Sequence, residues 1–153
     1  MQWYSKDYVL DTNILLIYLR EKQLADIIDK QFQALSFPNI PIISVVTVGE
    51  LKSLALQNNW GETRMKKLND FIKQFLIADI NVKTVIQRYA EIDAFSQGKL
   101  QNRPLQTSAR NMGKNDLWIA ATASILKAPL LTTDNDFSHL DNEFLKLLYI
   151  SIK

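Results

Sequence analysis

Five acids stand at the edges of apolar runs: Asp11, Glu50, Asp116, Asp134 and Asp136. Most have short polar companions, in Asp11-Thr12-Asn13, Asn115-Asp116 and Thr132-Thr133-Asp134-Asn135-Asp136. Taken singly, each has an ordinary explanation. Asp11 or Thr12 can cap a helix. Thr47-Val48-Gly49-Glu50 has the form of a capping box with Thr47 at the cap. Asn115-Asp116 can cap the helix that follows, and Asp134-Asn135-Asp136 suits a turn. Caps need only an oxygen, however, and Ser, Thr or Asn supplies one. Carboxylates gathered at one place repel, and must be protonated, spaced apart or neutralised by cations. With no cysteine, and His139 the only histidine, thiolate and multi-histidine metal sites are excluded. Oxygen ligands of this kind suit Mg²⁺ or Mn²⁺ rather than zinc or copper. Thr12, Asn13, Asn115, Thr132 and Thr133 can orient such carboxylates by hydrogen bonds.

Whether the acids meet depends on the elements that carry them. Periodicity predicts a strand over 7–10, helices over 12–20 and 22–34, and a strand within 38–44. Helices follow over 47–58 and 62–76, with a turn at 58–61 between them. A third strand is expected at 76–80 and a helix at 82–97. Residues 98–114 break the pattern as a polar loop or loosely helical segment. Helix resumes over 116–127, and strands are expected at 128–133 and 147–152. Strands alternating with helices imply a parallel sheet with helices on both faces. In such sheets, sites form beyond the carboxyl ends of the strands, at a topological switch point. Asp11 and Asp134 directly follow strands one and four. Glu50 and Asp116 fall in first turns of flanking helices.

The length of 153 residues suits one domain spanning 1–153, and 47% hydrophobic with 22% charged residues suits a globular core. No apolar run is long enough for a membrane span. Nothing at the start resembles a secretory signal. Together with the lack of cysteine, this leads to the expectation of a cytoplasmic protein. The net charge of +2 permits a polyanionic partner without demanding one.

Four stretches now carry a family resemblance: "YVLDTNILL" (8–16), "ISVVTVGEL" (43–51), "NDLWIAATA" (115–123) and "LLTTDNDF" (130–137). In order and spacing the chain resembles the PIN domain, and within it the small VapC-like toxins of toxin–antitoxin pairs. The resemblance implies a three-layer α/β/α fold with a central parallel sheet of about five strands, and a metal-dependent endoribonuclease. By position, the family's acids fall on Asp11, Glu50, Asp116 and Asp134, with Asp136 near the last motif. The family's threonine falls on Thr132 or Thr133, and Asn13 matches its asparagine. The resemblance further implies a homodimer and a cognate antitoxin. The helical pair around 47–76 is a candidate groove for an antitoxin helix.

An RNA substrate needs positive charge near the acids. Lys99, Arg103, Arg110 and Lys114 lie in an acid-free stretch and are candidate phosphate contacts. Arg64, Lys66 and Lys67 read as a solvated helix face. His139 reads as a surface or packing residue, and Trp3, Trp60 and Trp118 as packing or interface residues. The rival reading is a PIN-like domain without catalysis that binds RNA or protein. The set of acids argues against it, since a negative cluster repels phosphates. A phosphoaspartate hydrolase would want Asp where Asn13 stands, and a receiver would want a lysine after a late strand.

Overall fold

The computed structural model describes residues 6–152; Trp3 lies outside them. Along the first strand, β1 (Asp7–Leu10), side chains alternate between two cores. Tyr8 and Leu10 enter one apolar cluster and Val9 enters the other. Leu131 and Leu130 divide in the same way on β4 (Leu130–Thr132), as do Ile43 and Ile42 on β2 (Ile40–Ser44). Strands buried on both faces are what a parallel sheet covered by two helical layers requires.

The sheet has five strands in the order β3-β2-β1-β4-β5, with β3 at Leu76–Ala78 and β5 at Leu147–Tyr149. Every pairing is parallel. The chain runs outward from β1 to β3, then returns to lay β4 on the free side of β1. The switch point therefore lies between β1 and β4, the neighbours on which the meeting of Asp11 and Asp134 depends.

One layer contains α1 (Thr12–Arg20), α2 (Lys22–Phe32), α3 (Val45–Gln57) and α4 (Glu62–Ile72), whose buried residues join the cluster of Tyr8 and Leu10. The other contains α5 (Lys83–Ser96), α6 (Lys114–Leu126) and a 3-10 helix over Asn135–Leu140. Helix α6 is apolar on nearly all sides, and Ala120, Ala121 and Ala123 are fully buried. These small side chains let it sit deep between its neighbours. Its first turn carries Asp116.

Element order follows the expectation, while boundaries shift. Helix α3 starts at Val45 and not 47, because Ser44 is the cap, its Oγ accepting from the Val46 N–H at 3.1 Å. The capping box is thereby overturned: Thr47 lies fully buried within the helix. Helix α6 starts at Lys114 after Gly113, so Asn115 is not a cap either. At α3 the helix extends backwards over Val45 and Val46, β-branched residues of poor intrinsic helix propensity. Helix α4 stops at Ile72, four residues short of the expected end. Residues 134–136, expected as a turn, lead into the 3-10 helix. Residues 97–113 form neither helix nor strand but are moored at both ends. The Arg110 N–H donates to the Ser96 carbonyl at 2.8 Å, and Ser96 Oγ lies 2.7 Å from His139 Nε2. His139 is buried and stacked on Phe95, so it packs in the core and is not a surface residue. Burial lowers its pKa to about 4. Trp118 packs on Tyr89, with centroids 4.2 Å apart.

Candidate active site

β1 ends at Leu10, and Leu10 pairs with Leu131 on β4. The residues one step beyond, Asp11 and Thr132, therefore emerge side by side at the carboxyl ends of the strands. Asp11 is only 3% exposed and its backbone is extended, as at a helix cap. Its Oδ1 accepts from the Thr12 N–H at 2.8 Å, so it does help to start α1. Its Oδ2 accepts from Thr132 Oγ1 at 2.8 Å. The same threonine oxygen accepts from the Asp134 N–H at 3.0 Å. Of the two candidate threonines, Thr132 makes these bonds. A carboxylate oxygen has two lone pairs, so each oxygen of Asp11 keeps one for another partner.

Glu50 arrives from the second turn of α3. The Thr12 hydroxyl donates to its Oε1 at 2.6 Å and lies 3.0 Å from the Thr47 hydroxyl. Thr47 thus belongs to the site's support, which the capping-box pattern concealed. A hydroxyl inside an apolar helix, away from its first position, is the signal that could have found it.

Asp11, Glu50, Asp116 and Asp134 line one cleft of about 720 Å³, with Thr12, Asn13 and Asn115. Carboxylate oxygens of Asp116, Asp134 and Asp136 lie within 4.8 Å of one another. Asp134 also caps the 3-10 helix by accepting from the Asp136 N–H at 2.9 Å. Both acids after β4 thus reach the cluster, Asp134 from the cleft wall and Asp136 from the exposed rim.

Burial and mutual repulsion mark this cluster electrostatically. Burial pushes Asp11 up to about 6, although bonds from Thr132 and Thr12 pull it down. Asp116 rises to about 7, first by burial and then by the charges of Asp11, Asp134, Glu50 and Asp136. A carboxylate that served only as a cap would be stabilised in its charged form. The donor set is all oxygen and rich in charge, which fits a hard divalent cation.

The four expected phosphate contacts do not gather at this cleft, and none lines it. Arg103 lies over the Phe144 ring at 4.3 Å and 3.9 Å from Glu143, so it fastens the loop to its own layer. Arg110 reaches the Asp136 carbonyl at 3.5 Å. Lys114 opens α6, and Lys99 is exposed.

Known proteins are similar to this chain in sequence and in fold. The chain is 29% identical over 133 residues to Ribonuclease VapC5 of Mycobacterium tuberculosis, covering 87% of each protein. Its fold is similar to that in the structure of VapBC2 from Rickettsia felis bound to a promoter DNA fragment (TM-score 0.71, 22% identity, 95% of this chain and 99% of that one). VapBC-1 from nontypeable Haemophilus influenzae gives a TM-score of 0.70 at 26% identity, covering 94% of this chain and 97% of that one. The PIN domain profile matches residues 8–143, from β1 to just past the 3-10 helix, and the chain belongs to the PIN domain family.

Proposed function

We propose that this chain is a metal-dependent endoribonuclease that hydrolyses RNA phosphodiester bonds, and the toxin of a VapBC-like toxin–antitoxin pair. The observation that carries the reading is the convergence of Asp11, Glu50, Asp116 and Asp134 on one cleft, with Asp116 raised to about 7 by burial and by the other acids. An assembly of this kind needs a cation to be fully charged near neutral pH. The similarity to a protein named Ribonuclease VapC5 supports the same chemistry.

Mg²⁺ or Mn²⁺ at this site would stabilise phosphoryl oxygens and make a water acidic enough to lose its proton near neutrality. Asp116, Asp134 and Asp136 are the closest-set ligands, and Asp11 completes the wall behind them. Thr132 and the Thr12 N–H fix the plane of the Asp11 carboxylate. The Thr12 hydroxyl holds Glu50 against the same wall, where it can ligate or accept a proton. Asn13 and Asn115 stand at the mouth, exposed, and can hydrogen-bond a phosphate. Ligation releases protons from the raised carboxyls, so cation affinity depends on pH.

The proposal includes a homodimer and an antitoxin partner. Leu56 on α3 is 76% exposed, and Leu76 beyond α4 is 58% exposed, which supplies apolar surface around the 47–76 region. No helix among the described residues is long and apolar enough to cross a membrane.

The test is to incubate the protein with total RNA in Mg²⁺, Mn²⁺ or chelator, beside Asp11→Asn and Asp116→Asn, and to map the cut ends. Cutting that needs metal and is lost in both variants is expected. RNA binding without cutting in either metal would overturn the reading in favour of a non-catalytic binder.

A further inference from the structure

The acid cleft has a neighbour of opposite character. A second cavity, of about 600 Å³, is lined by Leu19, Arg20, Asn58, Trp60, Arg64 and Lys67. It contains three cations and no acid. The two cavities are neighbours: α1 contributes Leu16 to the first and Leu19 to the second, and Gln57, which ends α3 at the first, is followed by Asn58 at the second. From Thr12 to Arg20 the helix rises about 12 Å. The cationic cavity therefore adjoins the acid cleft along α1.

The convergence of the cations is not accounted for by ion pairing. Among the described residues, none of Arg20, Arg64 and Lys67 belongs to an ion pair. Arg20 sits in the last turn of α1, where a cation offsets the helix dipole, but that explains one residue and not three. Arg64 lies over the Trp60 ring at 5.3 Å. Trp60 is half-buried against the core below, so the ring is held in place rather than free. Arg64 and Lys67 are exposed on α4, as the sequence predicts, and Arg20 joins them from a different helix. Converging cations beside a held aromatic ring are what single-stranded nucleic acid recognises, phosphates on the cations and a base on the ring.

We propose that this cavity is a phosphate-binding subsite for single-stranded RNA flanking the bond held at the acids. Arg20, Arg64 and Lys67 contact the backbone, and Trp60 offers a stacking surface for a base. The inference rests on the ribonuclease reading for the identity of the nucleic acid. It supplies what the acid cleft lacks, since four carboxylates by themselves repel the strand they are to cut.

Binding of a labelled single-stranded RNA is measured by fluorescence anisotropy in chelator, at several salt concentrations. Wild type is compared with the triple variant Arg20→Gln, Arg64→Gln, Lys67→Gln and with Trp60→Phe. All three cations are exposed, so the triple variant should keep the wild-type circular dichroism and melting temperature. The triple variant is expected to bind tenfold or more weakly, and its log–log salt slope should flatten by about 2, near 0.7 for each lost phosphate contact. Trp60→Phe should change affinity by a few fold, keep the salt slope and keep the fold. In cleavage assays with Mn²⁺, the triple variant should raise KM and leave kcat within about twofold. Unchanged affinity and slope in the triple variant would overturn the subsite. A loss of binding to poly-glutamate but not to RNA would also overturn it, assigning the cavity to an acidic protein segment. Because binding is read in chelator, the two proposals fail separately. A wild type that never cuts sinks the nuclease reading alone, while a triple variant that binds and cuts like wild type sinks the subsite alone.

Discussion

In the acid cleft, carboxylates stand among buried residues: Asp11 is 3% exposed and tied by two hydrogen bonds. In the cationic cavity, Arg20, Arg64 and Lys67 stand in solvent around a half-buried ring. Both gather like charges, and the two differ in what relieves the repulsion. Water and mobile ions screen the exposed cations, so their influence should follow ionic strength. The buried Asp11 and the half-buried acids around it are screened less, so protons or a divalent cation must relieve them. The cleft should therefore answer to pH and metal and the cationic cavity to salt.

The largest expected effect removes a charge from the acid cleft. Asp116→Asn should lower the cleavage rate by about 10³-fold or more, in the range typical of lost transition-state electrostatics. It should leave RNA affinity in chelator unchanged or slightly tighter, because it removes a negative charge. If Asp116→Asn cuts as fast as wild type, the acids are structural and the contrast collapses. Mn²⁺ should raise the melting temperature of wild type and have a much smaller effect on Asp116→Asn.

Next comes pH. Asp11 is raised from 3.8 to about 6, and Asp116 to about 7. Between those values and the ordinary carboxylate range, the folded chain binds more protons than the unfolded one. Stability without metal must therefore fall as pH rises from about 4 to 7, opposite to a salt-bridged carboxylate. Asp11 alone accounts for a loss on the order of 3 kcal/mol. Melting in chelator across this range checks the sign, and Asp11→Asn should flatten the curve. Cleavage and metal affinity should rise over the same interval, as the carboxyls ionise.

Thr132→Val tests the link between the halves of the site. It should slow cleavage by about 10–100-fold, as lost support of a metal ligand does. It should also cost about 1–3 kcal/mol of stability, since the Asp134 N–H loses its acceptor. Arg64→Gln alone is a smaller change at the cationic cavity: a few-fold weaker RNA binding and a salt slope flatter by about 0.7. The smallest effect is expected from Arg103→Ala. It should leave RNA affinity untouched and cost about 0.5–1 kcal/mol by removing a cation from the Phe144 ring. A large loss of RNA binding there would move the phosphate contacts to the 97–113 segment.

The legible parts were those written in local pattern. Alternating apolar runs gave the parallel sheet. Asp11 and Asp134 were placed by standing one step beyond strands. Glu50 and Asp116 were placed by standing in early helical turns. Their meeting in one cleft follows from the β1–β4 adjacency. What local pattern misses is tertiary. Thr47 resembles a cap because Ser44 both ends β2 and caps α3, leaving no linker between strand and helix for the pattern to mark. Arg103 resembled a phosphate contact because Phe144, which it covers, lies far along the chain. Arg20 joins Arg64 and Lys67 only through the packing of two helices, and no spacing records that.

Thr132 bonds to Asp11 across a separation of 121 residues. Glu50 comes from the first third of the chain, and Asp116 and Asp134 from the last. During synthesis the chain emerges from its N-terminus, so the early acids are outside the ribosome well before the late ones. Until β4 pairs with β1, the nascent protein has two of the four cleft acids and no cleft. A protein that cuts RNA would thus be harmless to the message and ribosome that are making it for most of its synthesis.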